Sequence, residues 1–269
     1  MKIFDLHSDF LTSAKNYKKA YKKFEKQVTL PAVIYSGNLN FSKAFLLAKD
    51  YLNFNKLGVV AFENIGYSDL NFEKLISLKP LYCSLTYNDE NNFGYGVNYN
   101  FPIKNEGLKI AKKLNENGIY VDVAHLCKKG VLSLVDNGVK VINSHTCFTS
   151  VYKHKRNIDS ETIRAIIKSG GIIGFTLVGY FLGENPNVTT LLKHIDYFIQ
   201  NFGFKNLCLG TDFYGSDYFC KGISSYKGLK LLERKMLLNG YNKSVVESVF
   251  YKNAFDFFKE KFNQKTIEK

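Results

Sequence analysis

Three of the five histidines in the chain come at the ends of short apolar runs, where predicted strands end. They are His7, His125 and His145. In a sheet of parallel strands the carboxyl ends meet at one edge, and α/β barrels carry their active sites there. Alternate residues of a strand share a face, so His7 and Asp9 point the same way. The imidazole and the carboxylate of this pair can ligate one metal ion.

Acidic residues end two further apolar runs. Glu63 shares a strand face with Val59 and Ala61, and Asp212 ends a run near the C-terminal third of the chain. Each of these residues alone could be a polar strand end that meets solvent or caps a helix. Taken together with the histidines and Asp9, they supply the nitrogen and oxygen ligands of divalent transition metals. Even five of these six candidates exceed what one catalytic zinc ion usually takes from protein, so two ions that share a carboxylate fit better.

Strands and helices must alternate to position these side chains. Seven apolar runs are predicted as strands, at residues 2–9, 58–64, 81–88, 119–125, 139–145, 171–178 and 206–213. Segments with helical spacing lie at residues 42–57, 71–78, 106–117, 128–137, 159–169, 188–202, 226–239 and 243–262. This series predicts an α/β fold, a single (β/α)8 TIM-like barrel that covers residues 1–269 as one domain. The eighth strand, after Asp212, is expected to be short or irregular.

The composition is that of a folded, basic protein of 269 residues. There are 37 Lys and Arg against 24 Asp and Glu, so the formal net charge is +13. The densest basic run, residues 15–26, is either a solvated face or lid, or a patch that attracts acidic partners. No nucleotide-binding fingerprint is present. The lack of a GxSxG nucleophile motif argues against covalent catalysis.

Cysteine usage and hydropathy bear on location. The five cysteines show no CxxC spacing, so neither a disulfide framework nor a cysteine-type zinc site is indicated. The N-terminal residues lack the apolar region of a signal peptide, and no run approaches the roughly 18 apolar residues of a membrane span. These features predict a cytoplasmic protein with no membrane partner and no specific nucleic-acid partner. A homodimer is left open.

Several longer motifs, in their order and spacing, resemble the membrane (renal) dipeptidase family of binuclear zinc peptidases within the amidohydrolase-like barrels. They are DLHSD at 5–9, SLTYN at 84–88, NENGIYVDVAHL at 115–126, INSH at 142–145, RNIDSETIRAIIKSGGIIG at 156–174, HIDYF at 194–198 and GTDFYG at 210–215. The resemblance implies a barrel of the metal-dependent hydrolase type and a zinc-dependent dipeptidase that binds small peptides. It also implies two zinc ions per chain, with other divalent metals as alternatives.

The resemblance assigns the metal ligands. His7 and Asp9 match ligands of one ion, His125 and His145 match ligands of the other, and Glu63 matches the bridging carboxylate. Two such ions can bring the pKa of a bridging water down to about 7, so that a metal-bridging hydroxide attacks the amide carbonyl.

The resemblance also assigns residues that act on the substrate. Asp212 matches the catalytic acid/base, and Arg156 matches the arginine that receives the substrate carboxylate, an anion that suits a planar guanidinium fork. Tyr87 stands where the family has the histidine of LTHN, and Tyr214 replaces the second Asp of DFDG. Because a tyrosine hydroxyl can donate to a developing oxyanion, Tyr87 is expected to bind substrate.

Two other classes of function stay open. An amidase, a lactonase or a phosphoesterase could use the same binuclear site, since the fold does not fix the substrate. A non-catalytic basic binding protein would instead associate with polyanions in a salt-sensitive way. The complete ligand set argues against a non-catalytic protein, and the resemblance favours hydrolysis of dipeptides.

Overall fold

A computed structural model of the chain describes residues 1–35 and 39–267. The strands of this described part are β1 (Ile3–Phe4), β2 (Val28–Thr29), β3 (Pro31–Tyr35), β4 (Val59–Glu63), β5 (Tyr82–Ser84), β6 (Tyr120–Asp122), β7 (Val141–Thr146), β8 (Ile173–Phe175) and β9 (Leu207–Leu209). The helices are α1 (Phe10–Ser13), α2 (Tyr17–Lys22), α3 (Phe41–Phe54), α4 (Phe72–Ser77), α5 (Asn105–Glu116), α6 (Lys128–Asp136), α7 (Ser160–Lys168), α8 (Gly179–Leu182), α9 (Val188–Phe202), α10 (Leu229–Leu238), α11 (Lys243–Glu247) and α12 (Asn253–Ile267).

The chain divides into two compact units. Unit 1 comprises Met1–Leu30, Ser144–Ser160 and Ile172–Lys259. Unit 2 comprises Pro31–Asn143, Glu161–Gly171 and Glu260–Lys269. The expectation of one domain over the whole chain stays a prediction.

Unit 2 is built from parallel strands joined by helices. Strand β3 pairs with β4, β4 with β5, β5 with β6, and β6 with the first residues of β7, all in parallel. Helices α3, α4, α5 and α6 connect these strands in order. Gly118 and Gly138 follow α5 and α6 with φ of +67° and +77°, the left-handed conformation that favours glycine after a helix. The predicted alternation of strand and helix is confirmed here.

Strand β3 differs from the prediction, which assigns no strand at residues 31–35. The segment PAVIY is short and begins with proline, a residue that interrupts sheets. Pro31 is the first residue of the strand, however, where its missing N–H is tolerated. The three residues after it are fully buried and pair with β4. Because of the proline, the sequence pattern does not predict this strand, which burial and pairing with β4 stabilise.

Unit 1 contains two parallel strand pairs, β1 with β2 and β8 with β9. Strand β1 is much shorter than the predicted run at 2–9, because Asp5 and Ser8 form only isolated bridges to Leu209 and Phe213. After β9, the described residues form isolated bridges and helices but no ladder. The sequence predicts a short or irregular eighth strand in this part of the chain, after Asp212.

The C-terminal helical segment also departs from its pattern. The spacing predicts one helix over residues 243–262, whereas a π-helical turn at Ser248–Lys252 lies between α11 and α12. This turn places Val249 and Phe250 in the core of unit 1. Among the described helices, none is both long and apolar enough to cross a lipid bilayer.

The basic run at residues 15–26 includes α2. All six of its lysines are exposed, while Ala20 and Phe24 are buried. Phe24 packs against the ring of Tyr226, with 4.8 Å between centroids. This arrangement favours a solvated face that is anchored by two apolar residues, and binding of acidic partners stays a prediction.

His194 lies in the core of unit 1, on α9. Its Nδ1 accepts a hydrogen bond from the Phe148 N–H at 3.2 Å. Its Nε2 lies 3.3 Å from the Leu182 carbonyl oxygen, to which a neutral ring donates. The ring is therefore a core histidine with both nitrogens bonded.

We expect His194 to make the fold less stable in acid. Burial lowers the pKa of His194 from 6.5 to about 4, because the charged ring would lose its hydration. Below about pH 6.5 the unfolded chain takes up a proton that the folded ring does not accept until about pH 4. The free energy of unfolding should fall across this window by up to about 3 kcal/mol. Urea unfolding from pH 7 to pH 4 tests this, and equal pH slopes for the parent and His194→Gln would contradict it.

Candidate metal centre

Four of the predicted site residues come together in unit 1. We call His7, Asp9, His145 and Asp212 the first cluster. His7 Nε2 lies 3.5 Å from Asp9 Oδ2 and 3.8 Å from Asp212 Oδ1. The rings of His7 and His145 are 3.9 Å apart between centroids, and the ligand atoms of His7, His145 and Asp212 lie within 4.8 Å of one another. Asp212, the most accessible of the four residues, is only 9% exposed.

Backbone hydrogen bonds join the chain segments that carry this cluster. His7 and Asp9 follow β1, and Asp212 follows β9. The N–H of Asp212 donates to the His7 carbonyl at 3.0 Å, and the N–H of Asp9 donates to the Phe213 carbonyl at 2.9 Å. These bonds fix the segments beyond β1 and β9 side by side, which brings the two carboxylates to the same imidazole.

The turn after Asp212 has an unusual backbone. Asp212 and Tyr214 have φ of +61° and +71°, in the left-handed region that few residues other than glycine adopt. Strain of this kind is common at functional sites. Gly215 approaches so closely that a Cβ atom there would overlap with carboxylate oxygens of Asp9 and Asp212. Sequence reasoning did not single out Gly215, although it ends the GTDFYG motif.

A buried carboxylate near the cluster ties β1 to the segment after β9. Asp5 accepts hydrogen bonds from the Thr211 N–H at 2.8 Å and from the Tyr226 hydroxyl at 2.7 Å. Burial raises the pKa of Asp5, and the hydrogen bonds from Thr211 oppose that rise. Neither Asp5 nor Tyr226 was predicted as a site residue. The position of Asp5 within DLHSD was the one available signal.

Unit 2 holds the second cluster, which consists of Glu63 at the end of β4 and His125 after β6. Glu63 Oε1 lies 2.9 Å from His125 Nε2, and both side chains are buried. His125 Nδ1 lies 2.9 Å from Asn88 Oδ1. An amide oxygen can only accept, so it holds the ring proton on Nδ1 and leaves Nε2 directed at Glu63. Asn88 was not predicted, although it is the last residue of the SLTYN motif.

Tyr87 packs against the second cluster. Its ring stacks on the His125 imidazole with 4.2 Å between centroids and an angle of 23°. The ring of Tyr35 contacts the Tyr87 ring in turn, at 4.7 Å. Tyr87 is half-buried. The residue that departs from the family motif therefore lies beside a predicted metal ligand.

Arg156 is buried in unit 1 beside the first cluster. Its Nη2 donates to the His145 carbonyl at 3.4 Å, and its guanidinium carbon lies 5.4 Å from the centre of the Phe181 ring. The Thr146 hydroxyl donates to the Arg156 carbonyl at 2.9 Å. These contacts hold the guanidinium against an aromatic face, a favourable arrangement for a cation.

The donors of the two clusters fit divalent metal ions. They comprise three imidazoles and three carboxylates, all of them buried, and these are donors that zinc and similar ions accept. Among the described residues, Asp9 Oδ1 is buried without a hydrogen-bond partner. A buried carboxylate oxygen of this kind is costly unless an ion or a water molecule binds it.

Comparisons with known proteins identify the family of the chain. The model of the family described as membrane dipeptidase, peptidase family M19, matches residues 54–269. Dipeptidase verJ of Clonostachys rogersoniana is 24% identical over 206 residues, which is 74% of this chain. The chain spans 53%, about half, of that protein's length.

Two solved structures share the fold. The crystal structure of the dipeptidase AC, a metallopeptidase of family M19, matches with a TM-score of 0.84 at 18% identity, over 96% of this chain and 98% of that chain. A metallopeptidase from Rhodobacter sphaeroides, liganded with a phosphinate mimic of the dipeptide L-Ala-D-Ala, matches with a TM-score of 0.82 at 17% identity, over 96% and 99%. The predicted fold class, an α/β barrel, is confirmed.

Proposed function

The chain belongs to the membrane dipeptidase family, peptidase family M19, and from this premise we propose that it hydrolyses dipeptides or related short amides with the help of divalent metal ions. The first cluster carries the proposal, because two imidazoles and two carboxylates are buried within a few ångströms of one another. Such a convergence suits a metal centre better than it suits a stable core, since buried ionisable groups are costly unless they are paired or ligate a metal.

The proposal includes two divalent ions per chain, with zinc as the first choice. As the resemblance implies, His7 and Asp9 would hold one ion, His125 and His145 the other, and Glu63 would bridge them. This assignment requires that the two units act as one domain. When bound, the ion pair would lower the pKa of a water molecule and polarise the scissile carbonyl.

Three side chains have proposed roles toward the substrate. Asp212 takes the proton from the attacking water and passes it to the departing amine. Arg156 receives the carboxylate end of the peptide with its guanidinium fork. The Tyr87 hydroxyl donates to the oxyanion that develops on the scissile carbonyl. The proposed reaction requires no covalent intermediate.

A cytoplasmic location belongs to the same proposal. All five cysteines are free and buried, which suits a reducing compartment. The proposed partner is a small peptide.

Metal analysis and a substrate panel test the proposed function together. Protein that has been loaded with zinc and desalted should retain about two ions per chain. A panel of dipeptides, N-acyl amino acids and phosphoesters then separates a dipeptidase from other hydrolases on the same site. Less than about one ion per chain, or no turnover of any dipeptide, would contradict the proposal.

Tyr87→Phe tests the proposed oxyanion donor, because it keeps the ring and removes the hydroxyl. The stack on His125 should survive, so the metal content should stay parental. Loss of one preorganised donor should lower kcat by about 10²-fold, measured on the best dipeptide. Tyr95→Phe is a matched control, since Tyr95 is a half-buried tyrosine of the same unit and should keep parental kcat. A parental kcat for Tyr87→Phe would show that this hydroxyl does not act on the substrate.

A further inference from the structure

A buried serine touches both histidines of the first cluster. Ser144 Oγ lies 3.2 Å from His7 Nδ1 and 2.8 Å from His145 Nδ1. Ser144 is fully buried, with no exposed surface. The other ring nitrogen of His7, Nε2, faces the carboxylates of Asp9 and Asp212. Both rings thus present Nδ1 to the serine.

The proton on each ring decides whether Nε2 can act as a ligand. A neutral imidazole has one N–H, so a ring that ligates through Nε2 must carry its proton on Nδ1. A hydroxyl oxygen has two lone pairs and can accept two hydrogen bonds. Ser144 Oγ can therefore accept from both Nδ1–H groups at once. If either ring were protonated on Nε2 instead, its Nδ1 would have to accept from the serine and its Nε2 would be lost as a ligand.

We propose that Ser144 is a positioning residue, which fixes the Nδ1–H tautomer of both His7 and His145 and so prepares both rings for metal binding. The inference rests on the proposed metal centre and extends it, because one side chain then controls two ligands. Partners of this kind orient the ring of a ligating histidine and raise its basicity. The loss of Ser144 should accordingly weaken both ligands together.

The backbone holds Ser144 in place. A Cβ atom at Gly174 or at Gly210 would overlap with the Ser144 carbonyl oxygen. Both glycines therefore let neighbouring segments close tightly on this part of β7. This packing restrains the backbone of Ser144, whose hydroxyl lies between the two rings.

Nitrogen NMR of the metal-free protein, labelled at histidine, tests the tautomers directly. At a pH where both rings are neutral, the parent should show Nδ1–H for His7 and His145. In Ser144→Ala both rings should move toward Nε2–H. Ser8→Ala is the matched control, since Ser8 is equally buried beside His7 but its hydroxyl donates to the Phe213 carbonyl at 3.1 Å. An Nε2–H tautomer on either ring of the parent would overturn the proposal by itself, even if Ser144→Ala failed to fold.

Zinc affinity, measured by competition with a chelator, gives the second readout. Ser144→Ala should bind zinc about 10- to 100-fold more weakly than the parent, whereas Ser8→Ala should stay close to the parent. Equal losses in the two variants, or none in Ser144→Ala, would overturn the proposal. If the parent shows the expected tautomers but hydrolyses no dipeptide, the proposed substrate is refuted and the role of Ser144 stands. If the parent hydrolyses dipeptides but Ser144→Ala binds zinc as tightly as the parent, only the role of Ser144 is refuted.

Discussion

His125→Ala should remove about one of the two bound ions and lower kcat/KM on dipeptides by at least about 10³-fold, more than the loss of one oxyanion donor. His125 Nε2 lies 2.9 Å from Glu63 Oε1, so its removal deletes a nitrogen ligand and the imidazole that faces the proposed bridging carboxylate. The vacated space is buried and lies next to the Tyr87 ring. His125 is the one histidine of the second cluster, so no imidazole of that cluster replaces it. Elemental analysis of zinc-loaded, desalted protein and kinetics on the best dipeptide measure the two effects.

His194→Gln is the matched control for the loss of a buried histidine. Both nitrogens of His194 bond to protein backbone, at Phe148 and Leu182, so this substitution should lower the melting temperature but keep both ions. If His125→Ala retains two ions per chain, His125 is not a ligand. If His194→Gln also loses an ion, the loss in His125→Ala reports a damaged fold rather than a missing ligand.

Much of the fold could be predicted because burial in unit 2 follows the local pattern. Helix α3 at Phe41–Phe54 matches the spacing at 42–57, and α6 at Lys128–Asp136 matches 128–137. The failures occur where tertiary pairing overrides local preference. Strand β3 starts with a proline, and its pairing with β4 decides its conformation. Strand β1 looks longer in sequence than it is, because Asp5 and Ser8 form only isolated bridges to Leu209 and Phe213.

The ligand candidates could be predicted because strand ends converge in a parallel sheet, whatever the distance along the chain. The side chains that orient them could not, since their contacts are remote in sequence. Asp5 meets Tyr226 across 221 residues, and Ser144 meets His7 across 137. Asn88 reaches His125 across 37 residues. Nothing in the local pattern of any of these residues distinguishes it from an ordinary polar strand or loop position.

Asp212→Asn should lower kcat by about 10²- to 10⁴-fold, the usual contribution of a positioned proton carrier. Asparagine keeps the shape of the side chain and tolerates the left-handed backbone that Asp212 adopts at φ +61°. The backbone bond from residue 212 to the His7 carbonyl does not involve the side chain. The fold should therefore survive, and the variant loses only the group that accepts and returns a proton. Kinetics on the best dipeptide and metal analysis are both needed.

The metal count decides between two roles for Asp212. Its carboxylate can join His7 and His145 around one ion, so it could serve as a ligand instead of the acid/base that the resemblance implies. An acid/base role predicts a slow enzyme that still holds about two ions, whereas a ligand role predicts the loss of about one ion with the activity. Asp217→Asn is the matched control, because Asp217 is exposed in the same loop and accepts a hydrogen bond from the Tyr180 hydroxyl at 3.3 Å. It should behave as the parent. Parental kcat in Asp212→Asn would exclude both roles, because neither proton transfer nor metal ligation survives the change of this carboxylate to an amide without loss.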